Sequence, residues 1–142
     1  MVYMLDWLKK PSGALKTLGQ RGEEFAQQDY RQRGYKIIAA NEFNKTGKRL
    51  GEIDFIAQDR QRIVFVEVKT RTAGVSRFGS GIEAVDGFKQ AKILRAVKSY
   101  LLSHPQYRGL RPSIDVCQVD YREFDNPQFC AKIIANGVED WN

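Results

Sequence analysis

The run Ile63-Val64-Phe65-Val66-Glu67-Val68-Lys69 constrains this chain more than any other segment. Side chains alternate between the faces of a strand, and here both faces begin apolar, the pattern of a central strand covered on both sides. Glu67 and Lys69 then share one face while Val66 and Val68 occupy the other. Ile53 to Ala57 is a second β-rich run, separated from the first by Gln58-Asp59-Arg60-Gln61-Arg62, and the two read as an antiparallel hairpin. Cross-strand partners keep a constant index sum, and any even-length loop makes that sum odd, so Asp54 falls on the Glu67 face. A two-residue turn at Asp59-Arg60 places Asp54 opposite Phe65 and diagonal to Glu67, roughly 7–8 Å away.

Around this hairpin the pattern alternates between helix and strand. Residues 1–17 carry Pro11, Ser12 and Gly13 and read as a loosely ordered arm, leaving 18–142 as one domain. Leu18, Gly22, Phe25, Ala26 and Tyr30 recur at helical spacing up to Arg33, and Gly34 suits the helix end. Tyr35 to Ala40 reads as a strand and Asn44 to Arg49 as a polar turn. Arg71 to Gly81 reads as a basic loop, followed by a long helix. That helix buries Val85, Phe88, Ala91, Leu94, Val97 and Leu101 and turns Lys89, Lys92, Arg95 and Lys98 outward. Either Ser80 with Glu83 or Asp86 caps its start, and His104-Pro105 ends it. Ile114 to Val119 and Phe129 to Ala135 close the fold as two strands around Asn126-Pro127. The order predicts an α/β domain with a central mixed sheet flanked by helices.

No apolar run approaches the roughly 18 residues of a membrane span, and the N-terminus lacks a secretory cleavage pattern, so a cytoplasmic protein with no membrane partner is expected. Cys117 and Cys130 lie in apolar runs away from metal-ligand spacing and read as buried thiols. With 23 Lys and Arg against 17 Asp and Glu, the net charge of +6 favours a polyanionic partner, nucleic acid first.

Two carboxylates brought together in a strand pair repel and lose hydration unless a cation neutralises them. Lys69 offsets one charge. Oxygen-only ligands suit Mg2+ or Mn2+, which bind through one or two carboxylates plus substrate phosphate. A bound water of lowered pKa, with an ammonium nearby to orient it, provides the parts for phosphodiester hydrolysis.

The Asp-to-Glu-x-Lys arrangement resembles the PD-(D/E)xK nuclease superfamily, which includes restriction enzymes and Holliday-junction resolvases. More closely, Arg21-Gly22-Glu23, Gly51-Glu52-Ile53-Asp54 and Val64-Phe65-Val66-Glu67-Val68-Lys69-Thr70-Arg71 resemble the YraN-type family of predicted endonucleases over roughly Gly19 to Val119. The resemblance implies a restriction-endonuclease-like core with Asp54, Glu67 and Val68 as metal-binding positions and Lys69 as the catalytic lysine. It also implies that Glu23 is an extra acidic residue near the metal and that Gln90 stands at a glutamine position of several branches. A proline precedes the Asp in the superfamily name, and Gly-Glu-Ile stands there instead. By the same analogy the substrate is DNA, at branched or distorted structures, and the protein is a homodimer.

Plainer readings stand beside these. Glu23, next to Glu24 in a first helical turn, equally complements the helix dipole. Glu52 reads as a sheet-end partner for a basic residue, and Asp115 supports either the sheet or the site. The helix lysines Lys89 and Lys92 either hold phosphates or solvate the helix, whereas Arg71 and Arg77 are the better phosphate contacts. His104 reads as structural. An alternative function is a nucleic-acid-binding module that keeps the nuclease fold and acts through protein partners without cleavage of its own.

Overall fold

The computed structural model describes residues 16–40, 53–72, 87–122 and 128–135, without the side chains of 87–90. The elements are α1 (Leu18–Gln32), β1 (Lys36–Ala40), β2 (Phe55–Gln58), β3 (Arg62–Thr72), α2 (Gly87–Ser103), a 3-10 turn at Pro105–Tyr107, β4 (Arg111–Arg122) and β5 (Gln128–Ile134). The strands form a sheet in the order β1-β2-β3-β4-β5. β3 and β4 run parallel, and the other neighbouring pairs are antiparallel. This is the α/β architecture of a restriction-endonuclease-like core, a mixed sheet flanked by helices. No helix among the described residues is long and apolar enough to cross a membrane.

The two apolar faces of β3 each meet a helix. Val64 and Val66 pack with Phe55, Ala57, Cys117 and Val119 against Ala26 and Tyr30 of α1. Ile63 and Phe65 pack with Ile56 and Ile114 against Ile93 and Val97 of α2. Alternate residues of one strand thus feed two separate clusters, as a centrally placed strand requires.

α1 begins where Thr17 accepts the Gln20 amide and the Gln20 side chain accepts the Thr17 amide. That reciprocal capping satisfies two helix-start amides and explains the sharp start at Leu18. Gly34 takes φ +95°, the left-handed conformation that turns the chain out of α1 toward β1.

Several expectations are corrected. The hairpin keeps its odd parity, but Phe55 pairs with Val66 and Gln58 with Ile63, two positions beyond the expected register. The cause lies in Asp59, whose carboxylate accepts the amides of Gln61 (2.8 Å) and Arg62 (2.7 Å). An aspartate that folds back this way stands before the tip of a turn, so the tip is Arg60-Gln61. The inward stripe of α2 is rotated: Ile93 and Val97 are buried, Leu94 is partly buried, and Ala91 is exposed. Arg71 and Thr72 belong to β3 and not to a loop, and β4 extends well beyond Ile114 to Val119. Cys130 is exposed, because β5 is an edge strand whose Gln128, Cys130 and Lys132 share the face that no helix among the described residues covers. Cys117 is buried as expected, and burial pushes its thiol up to about 12. Most of the N-terminal arm, the turn at Asn44 to Arg49, Glu52, the remainder of the 73–86 segment with both candidate helix caps, and Asn126-Pro127 lie outside the described residues.

Candidate active site

Asp54 enters the sheet just ahead of β2. Its backbone N–H donates to Val66 O at 2.9 Å, and its Oδ2 accepts the Val68 N–H at 2.7 Å. These two bonds bracket Glu67, so the register shift brings Asp54 alongside Glu67 and not diagonal to it. Glu67 is 2% exposed. Its Oε1 lies 3.1 Å from Lys69 Nζ, on a side chain with about a third of its surface open to solvent. Glu67 therefore sits in the floor of the site and Lys69 at its mouth. The N–H and C=O of a strand residue point toward the same neighbour. The Val68 carbonyl accordingly lies on the Asp54 side, where it could serve as a ligand oxygen.

Glu23 arrives from α1 through a close approach of helix and sheet. A Cβ on Gly22 would lie 2.0 Å from Thr70 Oγ1 and 2.9 Å from Thr70 Cβ, so only glycine lets α1 settle this deeply on β3. The next residue, Glu23, then forms a side-chain hydrogen bond with Asp54, and a bond between two carboxyl groups needs a proton on one of them. The Asp54 carboxyl is pushed up to about 7. Burial is the main cause, the Val68 amide pulls the other way, and the charges of Glu23 and Glu67 add to the rise.

A second polar group supports this docking. Asp115, buried in β4 beside Val66, accepts hydrogen bonds from Tyr30 Oη at 2.7 Å and Ser113 Oγ at 2.8 Å. It ties the C-terminal half of α1 to the sheet, as Gly22 on Thr70 seats the N-terminal half. Burial and the Asp115 carboxylate raise the Tyr30 hydroxyl above its ordinary range. Neither Gly22 nor Tyr30 stood out in the sequence as part of the site's support. The one local trace of the network is a charge inside the apolar run Ile114-Asp115-Val116.

The structure thus brings Glu23, Asp54, Glu67, Val68 and Lys69 together. Arg71 is turned to β4, where Nε donates to Asp120 Oδ1 at 2.7 Å, so part of its guanidinium is held by an ion pair that the phosphate reading did not anticipate. Lys92 is exposed on α2. The side chains of Lys89 and Gln90, and all of Arg77, lie outside the described residues. His104 sits at the end of α2, stacked on Tyr100 at 3.9 Å with Nδ1 2.8 Å from Tyr100 O.

Among the described residues no three His, Cys, Asp or Glu side chains form a ready metal cage. A hard divalent ion fits the donor set in another way, through the Asp54 and Glu67 carboxylates, the Val68 carbonyl, water and a substrate oxygen. It would also compete with the proton on Asp54.

Residues 22–120 match the uncharacterised protein family UPF0102. A UPF0102 protein of Caldanaerobacter subterraneus subsp. tengcongensis is 42% identical over 104 residues, covering 73% of this chain and 80% of the relative. One from Alkaliphilus oremlandii is 45% identical over 89 residues, 63% of this chain and 71% of the relative. One from Clostridium botulinum strain 657 is 34% identical over 124 residues, 87% of this chain and 95% of the relative. With its matching segment running from Gly22 of α1 into β4, the chain belongs to the UPF0102 family, the YraN family it resembled in sequence.

Proposed function

We propose that this protein is a Mg2+- or Mn2+-dependent endonuclease that hydrolyses phosphodiester bonds in DNA. The observation that carries the reading is the convergence of Asp54, Glu23 and Glu67 beside Lys69 at the C-terminal half of a central strand. Such a group is costly to maintain for structure alone, since carboxyl groups brought together in a partly dry place repel and lose hydration. When bound, the ion would supply a water of lowered pKa and offset charge developing on the phosphate.

The chain's own groups divide the remaining work. Asp54 and Glu67 would hold the ion, with Asp54 oriented by the Val68 amide and Glu67 by the Lys69 ammonium. Lys69, open to solvent, can hold a phosphate oxygen or orient the attacking water while Glu67 stays out of the substrate's reach. Glu23 sits against Asp54, where it would add negative charge to the surroundings of a bound cation. By the superfamily analogy, branched or distorted DNA is the preferred substrate.

The test incubates purified protein with linear, nicked, flapped and four-way DNA in Mg2+, Mn2+ or EDTA, alongside Asp54→Ala, Glu67→Ala and Lys69→Ala. Cleavage that needs the metal and vanishes in all three variants is expected. Activity persisting in EDTA, or surviving the loss of Glu67, refutes the mechanism.

A further inference from the structure

The end of β3 away from the carboxylates carries the opposite charge. Arg60 and Gln61 of the turn tip, Arg62 at the strand start, and Gly109, Leu110 and Arg111 ahead of β4 line a cavity of about 590 Å3. Sequence places Arg62 and Arg111 far apart, and the parallel register pairs them directly. The Arg111 N–H donates to Gln61 O at 2.8 Å, so the two walls are fixed to each other by main chain. The Arg62 guanidinium lies 6.0 Å from the centre of the Tyr35 ring, which limits its sweep.

Three guanidinium groups around one cavity repel each other, and no acid among the described residues lines it. Among the described residues the four ion pairs, Lys16–Glu24, Arg33–Asp29, Lys69–Glu67 and Arg71–Asp120, leave Arg60, Arg62 and Arg111 out. Asp59 is close by and its charge reaches Arg62, but its carboxylate is turned back onto the amides of Gln61 and Arg62. It lines only an adjoining cavity, which adds Lys36 to the same basic surface. Planar guanidinium forks match phosphate oxygens, and an anion among them would remove the repulsion.

We infer that Arg60, Arg62 and Arg111 form a second phosphate-binding cleft that grips a stretch of DNA backbone away from the bond being cut. Resting on the reading that this chain binds DNA, the inference sets where the substrate extends. Arg62 and Glu67 are five residues apart on one strand, so the cleft lies roughly 17 Å from the carboxylates. A DNA that reaches both must run along the length of β3 or present two arms, and a mononucleotide cannot bridge them.

The test measures binding of a fluorescent DNA duplex by fluorescence anisotropy in EDTA across a salt series, so that cleavage plays no part. The proteins are wild type, Arg60→Ala/Arg111→Ala and Arg60→Lys/Arg111→Lys. Both arginines are exposed, and the Asp59 turn and the Arg111–Gln61 main-chain bond remain in each variant. The alanine pair should bind more weakly, with a log–log salt slope shallower by about 0.9 for each phosphate no longer neutralised, and the lysine pair should recover most of the slope. A wild type that binds DNA with a slope unmoved by the alanine pair overturns the cleft and leaves the nuclease reading standing. A slope that does shift, in a protein that never cleaves, upholds the cleft and overturns that reading. A wild type that binds no DNA overturns both. Thermal melts with inorganic pyrophosphate form the second arm, and stabilisation that depends on the arginines while DNA binding does not would assign the cleft to a small anion and overturn its role toward DNA.

Discussion

Asp54→Asn in the metal-free protein isolates what the carboxylate cluster costs. Asparagine keeps the shape and an oxygen able to accept the Val68 amide, and it deletes the charge. A carboxyl held near 7 instead of its ordinary 3.8 contributes stability that is fully present below about pH 4 and is lost as pH rises through 7. At about 1.4 kcal/mol per pH unit the whole loss is about 4 kcal/mol, and with water reaching a partly open site about half of that is a reasonable lower figure. For a chain of 142 residues, 1 kcal/mol corresponds to roughly 3 °C in Tm. The variant should therefore melt roughly 6–12 °C above wild type at pH 8 in EDTA, and most of that gap should close at pH 5, where wild-type Asp54 is already protonated. Mn2+ should narrow and then close the gap, because a ligand held only by the folded state contributes about 2.7 kcal/mol at a hundred times its Kd and about 4.1 at a thousand times to wild type, and little to the variant. Calorimetric melts at the two pH values, with EDTA and across a Mn2+ titration, read all of this. A variant that melts below wild type at pH 8, beside a wild type indifferent to metal, would show that Asp54 serves the fold and not a cation.

Gly22→Ala should lower activity at least tenfold and destabilise by about 1–3 kcal/mol, since its Cβ forces α1 off Thr70 and carries Glu23 away. Adding Thr70→Ala, which removes Oγ1 and Cγ2, should restore part of both, and no rescue in melts and cleavage assays would refute the steric account. Tyr30→Phe deletes a donor to a buried carboxylate and should cost about 1.5–3 kcal/mol in urea unfolding, against no more than a few tenths if the bond to Asp115 were incidental. Asp59→Ala should cost about 0.5–2 kcal/mol by freeing the amides of Gln61 and Arg62, with hydrogen exchange rising first at the β2–β3 tip.

What was legible in the sequence was what one strand determines by itself. The double apolar run of β3 announced two covering layers, and the odd parity of the hairpin put Asp54 with Glu67, because both follow from local alternation. Register escaped because it was settled at the tip by Asp59, whose side chain chooses between two turns that keep the same parity. The stripe of α2 was degenerate: Leu94 and Ile93 are adjacent, two helical stripes share Val97, and only contact with Ile56 and Phe65 selects Ile93. Cys130 lay in an apolar run, yet its exposure depends on β5 being the sheet's edge, a fact of strand order.

The site needs three such long-range facts at once: Gly22 on Thr70, Tyr30 on Asp115, and Asp54 across Glu67. Glu23 reaches Asp54 only while α1 is docked, and docking brings a third acid toward two others. Without a cation the electrostatics therefore oppose the packing that assembles the cluster. With a cation bound, the same contact would become favourable, since Asp54 would give up its proton and the ion's charge would act on all three acids. Metal affinity and the docking of α1 are then linked, and each must strengthen the other by the same free energy. The Gly22–Thr70 contact sets the balance, because it supplies apposition between helix and strand that carries no charge. A variant loosening that contact should lose metal affinity without any change to a ligand, whereas cation binding that tolerates an undocked α1 would remove Glu23 from the site.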